Sequence, residues 1–244
     1  MSIQSRITDL LGRVNEKTAE DIIKIMFQEF GSKITFASSL GEEDQVITDI
    51  IARVAPGIRI FTLDTGRLFA QTYALIAKTK KKYPQLSFNV YYPDTKAVEA
   101  MVNEKGIDLF YESVDNRKLC CGVRKVEPLR RALSGHEAWI VGLRRDQSVT
   151  RTSLEIVEFD AGNNLIKINP LALWSLNQVR DYIKTYNIDI NPLHEQGFVS
   201  IGCAPCTRAI KSGEDIRAGR WWWEQPEQKE CGLHNNPKWK GSKK

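Results

Sequence analysis

Four of the five cysteines fall into two pairs, Cys120-Cys121 and Cys203-Ala204-Pro205-Cys206, and this grouping is the strongest chemical signal in the chain. Neighbouring side chains diverge in helix and strand alike. Two adjacent thiolates therefore reach one centre only where the backbone bends and the centre is large. A tetrahedral zinc ion is a tight target for such a pair, whereas a cubic iron-sulfur cluster, each iron corner taking one thiolate, offers the spread they need. The two-residue gap of the second pair suits both kinds of site. Cysteines used only as small apolar packing residues are the less favoured reading, since they seldom group in this way. A thioredoxin-like disulfide between Cys203 and Cys206 would leave Cys120-Cys121 unexplained. The fifth cysteine, Cys231, has Lys229 and His234 close by and Arg217 and Arg220 upstream. A thiolate nucleophile needs nearby positive charge and access to solvent. Spacing leaves that role and an inert surface thiol both open. His136 and His194 have no comparable neighbours and read as structural.

The elements that must hold these residues follow from the apolar pattern. Helical spacing covers Ser5 to Val14, and a second helix starts at an N-cap Thr18 with Asp21 three residues on and stops at Gly31. The short apolar run Ile34-Thr35-Phe36-Ala37 then predicts a buried strand, followed by the polar turn Ser38-Ser39-Leu40-Gly41-Glu42-Glu43-Asp44 and a helix from Gln45 to Val54. A strand, a small-residue turn and a helix N-terminus make an anion site, because several backbone N–H groups and the helix dipole point to one place. The unit repeats. Strands at Ile58 to Leu63 and Ser87 to Tyr92 are each followed by a helix, about Phe69 to Lys82 and Thr95 to Lys105. A fourth strand, Ala138 to Val141, leads into the turn Gly142 to Ser148. A helix from roughly Asn116 to Leu133 is expected to carry Cys120 and Cys121 near its start. Beyond it come a hairpin, Leu154 to Phe159 with Leu165 to Ile168, and a helix from Leu176 capped by Ser175. Alternating strands and helices predict an α/β fold with a single doubly wound, mainly parallel sheet, whose ligands bind outside the carboxyl ends of the strands.

With 244 residues and 42% hydrophobic content, the chain supports one α/β domain over residues 1–220 and a flexible arm over 221–244, too poor in apolar residues past Pro226 to fold alone. The first residues carry no apolar run and no stretch has the length of a membrane span, so a soluble, cytoplasmic protein without a membrane partner is expected. A net charge of +5 suits a small anionic substrate as well as nucleic acid. The run Lys78 to Lys82 reads as a solvated helix end, and Trp221-Trp222-Trp223 as a pin that fastens an extended segment to the core rather than a base-stacking surface.

Several motifs together carry a family resemblance. Lys229-Glu230-Cys231-Gly232-Leu233-His234 and the cysteine pairs resemble the assimilatory adenylylsulfate (APS) and phosphoadenylylsulfate (PAPS) reductases, in their iron-sulfur branch. Ser38 to Asp44 resembles that family's degenerate pyrophosphate loop, as found in adenine nucleotide alpha hydrolase-like folds. Asp64-Thr65-Gly66-Arg67, Gly142-Leu143-Arg144-Arg145 and Arg217-Ala218-Gly219-Arg220-Trp221 are similar to further family motifs. The likeness runs over essentially the whole chain from about Ile34. It implies thioredoxin-dependent reduction of adenosine 5′-phosphosulfate to sulfite and AMP in sulfate assimilation, through a thiosulfonate on Cys231, in an enzyme that is commonly a homo-oligomer. It also implies a 4Fe-4S cluster on Cys120, Cys121, Cys203 and Cys206 that is not itself the electron donor. By the same carry-over, Lys125, Arg217, Arg220 and His234 surround the phosphosulfate, Ser38 and Ser39 help hold it, and Thr65, Gly142 and Arg144 lie near the nucleoside. The 3′-phosphorylated nucleotide is the nearest alternative substrate. A cluster-dependent tRNA thiolase is disfavoured because the loop lacks the Ser-Gly-Gly-x-Asp-Ser form. A zinc-stapled nucleic-acid-binding protein is disfavoured by the adjacent cysteines and the anion loop.

Overall fold

A computed structural model describes residues 2–147 and 154–225. Six strands form one sheet in the order β3-β2-β1-β4-β6-β5: β1 (Ile34–Ala37), β2 (Arg59–Leu63), β3 (Phe88–Tyr91), β4 (Ala138–Ile140), β5 (Val157–Asp160) and β6 (Leu165–Ile168). All neighbours pair in parallel except β5, which turns back antiparallel on β6 as the edge strand. The expected doubly wound, mainly parallel sheet is therefore present.

Alternation along the strands sorts the core into two faces. Ile34, Phe36, Ile60, Ala138 and Ile140 enter one cluster, together with Leu10, Ile23, Ile47 and Val179 from α1 (Ile3–Val14), α2 (Ala19–Phe30), α3 (Glu42–Val54) and α8 (Leu176–Thr185). Phe61, Trp139 and Val141 point the other way and meet Leu129, Ala132 and Leu133 of α7 (Glu127–Leu133). Successive strand residues face opposite sides, so each strand glues two helical layers to the sheet. The remaining helices are α4 (Ala70–Lys82), α5 (Thr95–Lys105) and α6 (Val114–Cys121). Among the described residues, no helix is long and apolar enough to cross a membrane.

Local signals hold where a capping side chain sets them: Thr18 accepts from the Asp21 N–H, and Ser175 with Gln178 forms a capping box. Three boundaries differ from expectation by more than two residues. Helix α3 starts at Glu42 rather than Gln45, because Glu42, Glu43 and Asp44 suit the positive end of a helix. The first hairpin strand starts at Val157 rather than Leu154. The expected helix over 116–133 is divided: α6 ends at Cys121, a π-helical turn spans Gly122–Val126, and α7 continues from Glu127. Cys120 and Cys121 thus close the last turn of α6 instead of opening a helix. A π turn widens the backbone and is a common mark of a functional site.

Candidate functional site

A cavity of about 330 Å³ opens at the carboxyl edge of the sheet. Ser38 and Ser39 follow β1, Thr65 follows β2, Gly142 and Arg144 follow β4, Lys125 comes from the π turn, and Arg217 and Arg220 come from the C-terminal stretch; all line this cavity. These residues are scattered over 183 positions of sequence and meet because parallel strands end along one edge. Cys231 and His234 lie outside the described residues. His194, read from the sequence as structural, also borders the cavity, with Nδ1 2.9 Å from the Phe198 carbonyl.

The loop after β1 is organised from within. Asp44 is buried and accepts from both the Ser39 N–H (2.5 Å) and the Ser39 hydroxyl (2.6 Å), while Ser38 Oγ accepts from the Leu40 N–H. Burial pushes the Asp44 carboxyl up to about 6, against the lowering effect of the two Ser39 hydrogen bonds. Both Ser39 donors are thus already engaged. Gly142 is required beside this carboxylate, since a Cβ there would overlap Asp44 Oδ1. Motif reading placed Asp44 in the loop without a role, and only the fold reveals what it accepts from.

Cations also line the cavity. Arg144 is nearly buried and bound to Glu43 (2.8 Å) and the Trp174 carbonyl, so its charge is balanced internally. Arg220 is buried against Gly202, where a Cβ would overlap the guanidinium, and its Nε is buried without a hydrogen-bond acceptor. Among the described residues that N–H has no partner, which is costly for a buried cation. Gly202 escaped the motif reading, although a glycine next to a cysteine pair was the available signal.

Below the cavity lies the cysteine group. Cys120, Cys203 and Cys206 pack in one cluster with Trp221, Phe110 and Leu109, and Cys121 ends α6 beside Cys120. The turn Asp64-Thr65-Gly66-Arg67 seats them. Thr65 Oγ1 lies 3.2 Å from Cys203 Sγ, the Thr65 carbonyl accepts from Arg124 (2.7 Å), and the Arg67 carbonyl accepts from the Ala204 N–H (2.8 Å). Burial pushes the Cys120 thiol up, opposed by Arg124, and pushes Cys206 up to about 12. For Cys203 burial raises, but Lys125, the Thr65 hydroxyl, Arg220 and Arg124 together outweigh it and hold the thiol below its ordinary value. Among the described residues, no three His, Cys, Asp or Glu side chains close on a single ion. The donor set is a group of soft thiols on which Arg124, Lys125 and Arg220 act, a combination that fits an anionic thiolate-bound centre.

Residues 33–209 match the phosphoadenosine phosphosulfate reductase domain. The chain belongs to that family. It is 53% identical over 219 residues, 90% of this chain and 85% of the relative, to the adenosine 5′-phosphosulfate reductase of Allochromatium vinosum. The protein of the same name from Burkholderia cepacia is 48% identical over 88% of this chain and 85% of its own length. Among solved structures, the phosphoadenylyl-sulfate reductase of Candida auris, in a phosphate complex, superposes with a TM-score of 0.74 at 27% identity, covering 86% of this chain and 98% of that one. The FMN adenylyltransferase of Candida glabrata shares the fold alone, with a TM-score of 0.55 at 18% identity over 91% of this chain and 74% of that one. In this reductase family member, then, the cavity and the cysteine group meet across Thr65 and Lys125.

Proposed function

We propose that the chain reduces adenosine 5′-phosphosulfate to sulfite and AMP in sulfate assimilation. The observation that carries this reading is the group of cations Lys125, Arg217 and Arg220 that border one cavity at the carboxyl edge of the sheet. That wall matches the anionic phosphate and sulfonyl of such a nucleotide, whose charge redistributes as the bond between them breaks. The relatives near 50% identity named as adenosine 5′-phosphosulfate reductases favour the nucleotide without a 3′-phosphate.

In this reading the Cys231 thiolate attacks the sulfonyl sulfur, the sulfur–oxygen bond to the phosphate breaks, and AMP leaves with the electron pair. The thiosulfonate so formed is opened by a dithiol such as thioredoxin, which attacks Cys231 Sγ. Sulfite is expelled, and the dithiol ends as a disulfide after resolution by its second thiol, so both electrons come from the dithiol. Arg217, Arg220, Lys125 and His234 neutralise the phosphosulfate, and Thr65, Gly142 and Arg144 border the nucleoside. Ser38 faces the same cavity, and Ser39 contributes by holding the loop through Asp44.

Cys120, Cys121, Cys203 and Cys206 would hold a 4Fe-4S cluster, which supplies a fixed charge and a structural staple when bound. Lys125 lines the cavity while its charge acts on Cys203 and Cys206, so it stands between that centre and the substrate.

The test begins with anaerobic purification, iron and acid-labile sulfide analysis, and sulfite release from adenosine 5′-phosphosulfate with reduced thioredoxin. About four irons per chain and sulfite formation are expected, given four thiolate ligands. Cys231→Ser abolishes turnover and leaves the visible absorption. A colourless zinc protein, or an active Cys231→Ser enzyme, refutes the reading.

A further inference from the structure

Glu224 and Arg117 form a fully buried, bidentate ion pair. Arg117 Nε donates to Oε1 at 2.9 Å and a terminal nitrogen donates to Oε2 at 2.7 Å, with side chains only 1% and 2% exposed. Arg117 sits in α6, one turn before Cys120 and Cys121, whereas Glu224 lies seven residues before Cys231 in the sequence. The pair therefore joins the cysteine-bearing helix to the start of the segment that carries the nucleophile. Taking two charges out of water costs more than their attraction returns unless the geometry is excellent. Such a pair is better suited to fixing an orientation than to adding stability, and a two-point contact fixes angle as well as distance.

The backbone just before Glu224 carries a second, independent sign of constraint. Trp221 has a left-handed φ of +43°, a conformation an L-residue with a bulky side chain holds only when its surroundings impose it. Its N–H donates to the Cys206 carbonyl, its own carbonyl accepts from the Glu224 N–H, and its ring is contacted by the guanidinium groups of Arg117 and Arg220, each at 4.8 Å. The chain is thus forced to turn at a residue that borders the cavity, and is tied down three residues later.

We propose that Arg117 and Glu224 are positioning residues for the group transfer: their pair fixes the point from which the Cys231-bearing segment departs, beside the cavity wall. Cys231 is seven residues from Glu224 and so at most about 24 Å from it, and its local concentration at the cavity that Trp221 borders depends on where Glu224 is held. A displaced anchor lowers the rate of thiosulfonate formation and leaves nucleotide binding intact. The inference rests on Cys231 being the nucleophile.

The test uses the full-length, iron-loaded protein. AMP affinity is measured by calorimetry, the unfolding midpoint by thermal denaturation, and single-turnover S-sulfonation of Cys231 by quenched intact-mass analysis. Absence of any adduct on wild-type Cys231 overturns the functional reading itself; the variants address the anchor. Arg117→Met with Glu224→Leu removes the charges but preserves volume, so folding is retained. Its AMP affinity stays within about twofold while S-sulfonation slows at least about tenfold, as expected for a misplaced reacting group. The exchanged pair, Arg117→Glu with Glu224→Arg, recovers part of that loss. Glu224→Asp withdraws the carboxylate by one methylene and serves if the double variant fails to fold; it slows S-sulfonation at least about threefold at unchanged AMP affinity. A rate equal to wild type in either folded variant overturns the proposal, as does a parallel loss of AMP affinity and rate.

Discussion

The Thr65 hydroxyl lies 3.2 Å from the Cys203 sulfur, in the turn that also lines the nucleotide-sized cavity. One side chain therefore touches the cysteine group while its backbone carbonyl receives Arg124 and its hydroxyl accepts from the Arg67 N–H. The cavity and the cysteine group thus share Thr65 as a common wall.

Thr65→Val removes that contact while keeping shape. A hydrogen bond to a ligating sulfur is the kind of outer contact whose loss costs roughly tenfold or more in metal retention. Faster loss of visible absorbance in air is expected from the variant, measured against wild type at equal iron loading; equal bleaching rates would show that the hydroxyl is idle.

Gly202→Ala tests the cationic wall. A methyl group there would overlap the Arg220 guanidinium, which is the flexible end of a side chain and moves at little cost in stability. Loss of a charge-assisted hydrogen bond to an anion is worth about 1.5–3 kcal/mol, so AMP affinity drops by at least about tenfold with the unfolding midpoint nearly unchanged. Calorimetry decides the matter, and an unaltered affinity removes Arg220 from the anion site.

Asp44→Asn reports on the buried loop carboxylate. Burial raises the folded-state value to about 6 from the usual carboxylate range, so the folded state binds a proton that the unfolded state has released. Its contribution to stability is present below about pH 4 and is lost as pH rises through about 6, a difference on the order of 3 kcal/mol. The stability of wild type relative to Asp44→Asn therefore increases on acidification from pH 7 to pH 4. Chemical denaturation at several pH values measures it, and parallel pH profiles for the two proteins would contradict the burial argument.

Much of this was legible from local signals. Alternating apolar runs marked the strands, Thr18 and Ser175 marked helix starts, and the grouped cysteines and the Ser38 to Asp44 turn marked chemistry, because each depends on residues close in sequence. The π turn at Gly122–Val126 was not legible, since its hydrogen bonds compete closely with those of an α-helix and its tertiary contacts, such as Arg124 with the Thr65 carbonyl, come from residues remote in sequence. His194 reached the cavity edge by the path of its loop, which no spacing rule encodes.

By itself the sequence determined the alternation of strands and helices, the identity of the thiols and cations, and the family motifs that tie them together. Tertiary structure alone decided that Ser39 spends its donors on Asp44, that Glu43 balances Arg144, that Arg220 keeps a buried N–H without an acceptor, and that Arg117 grips Glu224. The physical reason is distance along the chain. Periodicity and capping act within a few residues, whereas desolvation and pairing of charge depend on which remote side chains the sheet edge brings together.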